Sequence, residues 1–221
     1  MEILPMPKSK TLEDEFVTEG LKRLQLEAFS QRGPGNGAEE VVSTSVVQQA
    51  MSRRYDDVKR NGQWGQADIS SDFSDEAMDR WLLELRERCY VIGEGTWMTC
   101  RVFLYPNEPG RLEVFDEELL TKGLHSTSGR LNARSSAATL TSELMAFPRT
   151  AENIPFWMRD VFAAEGVTPP IYNPQFKSVD WKNRRRPVTD RGTDFTVEPS
   201  VIDRSLEPGV FAKIGQKLFG G

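Results

Sequence analysis

Histidine occurs once in these 221 residues, at His125, and cysteine twice, at Cys89 and Cys100. A single histidine in a polar stretch gives Ser-His-Asp or Cys-His catalysis only one place to run. With no second histidine and no cysteine pair at ligand spacing, a zinc site lacks donors. His125 therefore reads as a solvated loop residue, and the expectation is a protein that is not an enzyme and holds no cofactor or metal. Two cysteines, both on core-facing positions, make no disulfide framework, which points to reduced thiols and a cytoplasmic location. Apolar runs of about eighteen residues are missing, so no membrane-spanning helix is expected. The start, MEILPMPKSK, carries an acidic second residue and no apolar stretch, so it does not read as a secretory signal. There is no internal repeat. An excess of basic residues is missing too: 28 Lys and Arg face 33 Asp and Glu, a formal charge of -5 that disfavours non-specific nucleic-acid binding by the whole chain.

What is present centres on residues 74–115. Ser74 can cap a helix, with Asp75 and Glu76 at the positive end of its dipole. Met78, Trp81, Leu82, Leu85 and Cys89 fall three or four apart and form an apolar stripe, and Asp79, Arg80, Glu84, Arg86, Glu87 and Arg88 take the other face. Gly93 and Gly95 end the pattern. The period then changes to two: Met98, Cys100, Val102 and Leu104 point one way and Trp97, Thr99, Arg101, Phe103 and Tyr105 the other. A turn at Pro106–Gly110 leads to a return strand from Arg111 to Phe115. The expected fold is α+β: a small antiparallel sheet packed by amphipathic helices, with long proline- and glycine-rich extensions.

Elsewhere the chain predicts a helix over Leu12–Phe29, anchored by Phe16, Leu21, Leu24, Leu26 and Phe29 and weakened at Gly20. It predicts a linker at Gln31–Gly37, a helix over Val41–Arg54, and a loop at Asn61–Ser71 with Trp64 as anchor. A short helix is expected to open at Glu117–Leu120; Thr121–Thr141 reads as mobile. Pro148 breaks the Leu144–Phe162 region and Pro155 opens a second helix, faced by Phe156, Met158, Val161 and Phe162. From Thr168 onward six prolines (Pro169, Pro170, Pro174, Pro187, Pro199, Pro208) predict an extended or wrapping segment, before a weak amphipathic stretch at Val210–Phe219. Three regions follow: an N-terminal helix and linker (1–37), an α+β core (38–166) and a proline-rich, basic extension (167–221).

Four features compete for function. GPGNGA at Gly33–Ala38 follows a helical stretch, whereas a phosphate-binding loop follows a strand, so it reads as linker. Glu113, Asp116, Glu117 and Glu118 put four carboxylates in six residues: a solvated strand end, an acidic docking surface for a basic protein or, if held at fixed separations across a cleft, a glycoside-hydrolysing pair, with the solvated edge favoured. Lys182, Arg184, Arg185 and Arg186, beside Trp181 and Phe176, form a basic run that suits either solvent or stacked nucleic-acid bases. Trp97 and Trp157 are candidates for the core or for a partner-binding anchor.

Trp81, Leu82, Leu85 and Arg86 on the helix, Trp97, Thr99 and Cys100 on the first strand, and Leu112, Val114, Phe115 and Asp116 on the second follow in an order that resembles the YezG/EsaG family of bacterial toxin-neutralising immunity proteins. The likeness spans about residues 74–118, and Phe147–Met158 (FPRTAENIPFWM) is similar to segments after the hairpin in larger immunity proteins, extending it to 141–166. In that family strands precede the helix, and residues 1–70 show no clear strand pattern. The resemblance implies a non-catalytic antitoxin that binds a cognate toxin, often a nuclease, through Glu113, Asp116, Glu117 and Glu118 with Trp97 or Trp157 as anchor. Two other classes stay open: an assembly protein such as a virion or neck component, whose extensions lace subunits together, and a nucleic-acid adaptor using residues 182–186.

Overall fold

A computed structural model describes residues 10–11, 14–49, 51–67, 75–118, 134–182 and 184–188. The chain divides into two compact units, Met1–Cys89 with Thr96–Ser135, and Tyr90–Gly95 with Ser136–Gly221. The fold class is α+β, as the sequence predicts.

In the first unit, α1 (Glu15–Ala28) is capped by Asp14, whose carboxylate accepts the Val17 N–H at 2.7 Å. Val17, Leu21, Leu24 and Ala28 are buried, and Phe16 and Phe29 half-buried. Leu26, an expected anchor, is 77% exposed because it lies off their stripe. Gln31–Gly37 is a packed turn and not a flexible linker: the Gly35 N–H donates to Ala28 O at 2.8 Å, and Arg60 Nη2 donates to Pro34 O at 2.6 Å. The boundary expected at residue 37 therefore separates nothing, since α1 shares one core with the strands that follow.

Those strands are the main correction. Val41–Arg54, expected as a helix, forms β2 (Glu40–Gln48) and the start of β3 (Met51–Arg60). Val41, Val42, Thr44, Val46 and Val47 are β-branched and suit a pleated surface. Because β2 is central, pairing β3 on one side and β5 on the other, both its faces are largely buried and the alternation disappears from the sequence. Asn61-Gly62, with φ of 51° and 74°, makes the two-residue hairpin loop into β4 (Gln63–Gln66), where a loop is expected. Trp64 on β4 is half-buried.

The helix and hairpin at the centre of the sequence form as expected, as α2 (Asp75–Cys89), β5 (Thr99–Leu104) and β6 (Arg111–Phe115). With β1 (Lys10–Thr11) they complete a six-stranded antiparallel sheet, ordered β1-β6-β5-β2-β3-β4. One face of this sheet, carrying Val41, Val47, Val58, Cys100, Val102, Leu104, Leu112 and Val114, packs with the apolar stripes of both α1 and α2. Arg86, expected on the polar face of α2, is fully buried.

The two helices meet at Gly20. A Cβ there would fall inside the Trp81 indole, overlapping Nε1 and Cε2, and Trp81 is itself only 3% exposed. Alanine is the better helix former by about 1 kcal/mol, but overpacking a rigid buried ring costs about 1–3 kcal/mol. Gly20→Ala is therefore expected to lower stability by about 1 kcal/mol once the helix gain is set against the overpacking, read as a lower urea midpoint at unchanged slope. A higher midpoint would show that Gly20 is a plain weak spot in the helix.

The second unit contains α3 (Ala137–Ala146), capped by the Ser136 hydroxyl, and α4 (Phe156–Ala164), entered through Pro155. Residues 137–141, expected to be mobile, are thus helical; 121–133, including His125, lie outside the described residues, and so do 119–120 of the expected short helix, whose first two residues are not helical. On α4 the buried residues are Met158, Val161 and Phe162, while Phe156 is 75% exposed. The proline-rich region is more regular than expected. β7 (Ile171–Asn173), β8 (Ser178–Trp181) and β9 (Arg184–Pro187) form an antiparallel meander. Pro169, Pro170 and Pro174 lie outside its strands, and Pro187 ends an edge strand, where a missing N–H is tolerated. Met145, Tyr172, Val179 and Val188 form its core. Residues 189–221, including Val210–Phe219, lie outside the described residues.

Candidate binding surfaces

Among the described residues no cluster of three or more His, Cys, Asp or Glu could hold a metal ion, and no helix is long and apolar enough to cross a membrane. Cys100 is fully buried, and burial pushes its thiol up to about 12 from an ordinary 9.0, away from the thiolate a nucleophile requires. Cys89 is a half-buried free thiol.

The acidic strand end carries built-in counter-charges. Glu113 pairs with Arg111, and Glu118 accepts from Arg134 Nε at 2.8 Å. The backbone oxygen of Glu117 receives the Thr99 hydroxyl at 3.0 Å. Asp116 is exposed, whereas Glu113, Glu117 and Glu118 are half-buried. Two arginines offset about half of the cluster's charge, so its field on an approaching basic partner is weaker than four carboxylates imply.

Trp97 is 7% exposed and belongs to the core of the first unit, so it is no surface anchor. Its carbonyl receives Arg86 Nε at 2.7 Å, and the guanidinium lies 5.9 Å from its ring centroid. Trp157 is half-buried; its neighbour Phe156 is the side chain that projects. At 3.6 residues per turn Phe156 falls roughly opposite Met158, a spacing already visible in the sequence.

A second apolar feature was not visible there. Val91 and Ile92 are 49% and 39% exposed, on a turn bridged at several points. Val91 and Gly95 exchange backbone hydrogen bonds of 3.1 and 2.8 Å; Gly93 N–H donates to Pro148 O, and its carbonyl accepts from Thr150 N and Asn153 Nδ2. The same Gly93–Arg149 bridge ties this turn to the segment leading through Asn153 into Phe156.

On the meander, much of the basic run is committed locally. Arg185 Nε donates to Asp180 at 3.0 Å, and its guanidinium stacks 3.7 Å from the Phe176 ring. Lys182, in the turn at φ 48°, places its ammonium 4.1 Å over Trp181. Arg184 and Arg186 pair in register with Trp181 and Val179. Aromatic faces that bases would stack on are already capped by this chain's own cations. The chain matches no family model and no curated protein.

Proposed function

We propose that this chain is a non-catalytic protein-binding protein of the toxin-neutralising kind, and that it grips its partner through Val91, Ile92 and Phe156. The observation that carries this reading is the placement of exposed apolar side chains. Five large ones are exposed among the described residues: Leu26, Val91, Ile92, Phe156 and Phe176. Three of the five belong to one hydrogen-bonded region of the second unit, and Phe176 is stacked by Arg185. Apolar groups held on a hydrogen-bonded turn lose little entropy on docking, so a partner can cover them at low ordering cost. The acidic strand end then steers a basic partner and contributes mainly to the association rate. Four strands, β1 to β4, precede α2, which is the order that the resemblance to the immunity family leads one to expect.

The test is co-expression with the product of the neighbouring gene. The wild-type chain is expected to co-purify with it as a defined complex. Val91→Ser, Ile92→Ser and Phe156→Ser together are expected to weaken the complex by about 30-fold or more without lowering the melting temperature. An unchanged affinity in the triple variant would overturn the reading.

A further inference from the structure

We infer that Arg101 on β5, with Thr44 across the ladder on β2 and the Phe115 ring beside it, forms a binding site for a small oxyanion, a carboxylate or a phosphate group. Arg101 is only 8% exposed, and its Nε is buried without an acceptor. Among the described residues no carboxylate lies within ion-pair distance of it; its one recorded partner is the Phe115 ring, 5.1 Å from the guanidinium carbon. Glu113 stands directly opposite on β6 but is paired with Arg111, so it does not neutralise Arg101.

Across the ladder on the other side, Thr44 is 1% exposed, and its hydroxyl is buried and unpartnered too. Directly opposed residues in an antiparallel pair put their Cβ atoms about 5 Å apart on the same face. The Arg101 Nε–H and the Thr44 O–H are therefore two donors on directly opposed residues of one sheet face, each without an acceptor. A buried cation without a counter-charge is costly, and burial already lowers the tendency of Arg101 to hold its proton. An oxyanion satisfies the charge and both donors at once, and the guanidinium fork fits carboxylate and phosphate geometry.

The experiment is thermal unfolding of the full chain at pH 7 and fixed ionic strength, with chloride replaced stepwise by inorganic phosphate or by acetate. The melting temperature is expected to rise with the logarithm of anion concentration above the dissociation constant, by about 4 °C at ten times it. Whichever anion acts at the lower concentration identifies the tetrahedral or the carboxylate source. The Arg101 Nε–H resonance should shift over the same range. Arg101→Met should abolish the response while melting no lower than wild type in chloride, since an uncompensated charge is replaced by an apolar stem. Should that variant fail to fold, Arg101→Lys and Thr44→Val should each weaken the apparent affinity by about tenfold. An equal rise in wild type and Arg101→Met, an adventitious ion only, would overturn the site, and so would no rise in wild type.

Discussion

Arg86→Ala is expected to cost about 4 kcal/mol of stability, measured as a fall in the urea midpoint. Arg86 is the largest fully buried side chain among the described residues, and its Nε–H satisfies the carbonyl of Trp97, where the chain enters β5. Thr96 returns the connection by donating its hydroxyl to Arg86 O at 3.0 Å. Truncation leaves a cavity worth about 2–5 kcal/mol and a buried carbonyl without a donor, worth about 1–3 kcal/mol. The two terms overlap, because water entering the cavity can reach the carbonyl. Arg86→Met separates them: it keeps most of the stem volume and loses the donor, so about 2 kcal/mol should remain. Equal losses in the two variants would mean that packing plays no part.

Gly95→Ala should rank second, at about 3 kcal/mol. Its φ of 91° is a backbone region that L side chains rarely adopt, worth about 1–2 kcal/mol. A Cβ there would also overlap Nε and Cζ of Arg149 and lie 2.8 Å from its Cγ. Arg149 cannot swing away cheaply, being 2% exposed with its Nη1 donating to Asn153 O at 3.0 Å. Gly37→Ala supplies the control. Its φ is 67° and nothing lies within 4 Å of the added carbon, so it should cost only the backbone part, about 1 kcal/mol. If the two alanines prove equally costly, the Arg149 contact contributes nothing and backbone strain is the whole effect.

Legibility in the sequence followed how local each cause was. α2 and the β5–β6 hairpin were readable because α2 carries one apolar stripe, β5 keeps an alternating apolar set although both its faces are buried, and the turn residues lie between the strands. β2 was not, since a strand buried on both faces loses its alternation, and Val47, Ala50 and Met51 happen to mimic helical spacing. The β3–β4 hairpin, expected as a loop, does carry its signal in Asn61-Gly62, a strong short-range hairpin pair. The meander was hidden because prolines argue against strands unless their edge or loop placement is known. Among the site candidates, Phe156 could have been separated from Met158 by helical angle alone. Arg86, Arg101 and Trp97 could not, because a charged or aromatic residue reveals its burial only once its distant partners are in place. The pairing of Glu113 and Glu118 with arginines is tertiary for the same reason.

The crossing of the chain between its two units bears on how the protein can be dissected. Residues 90–95 leave one unit, supply a short bridged turn to the other, and return at Thr96, so neither unit is a contiguous stretch of polypeptide. A fragment beginning at Ser136 would leave Pro148 O and Thr150 N without the Gly93 groups that meet them. Independent expression of the carboxyl-terminal half thus calls for the hexapeptide to be grafted back, or the chain to be permuted around it.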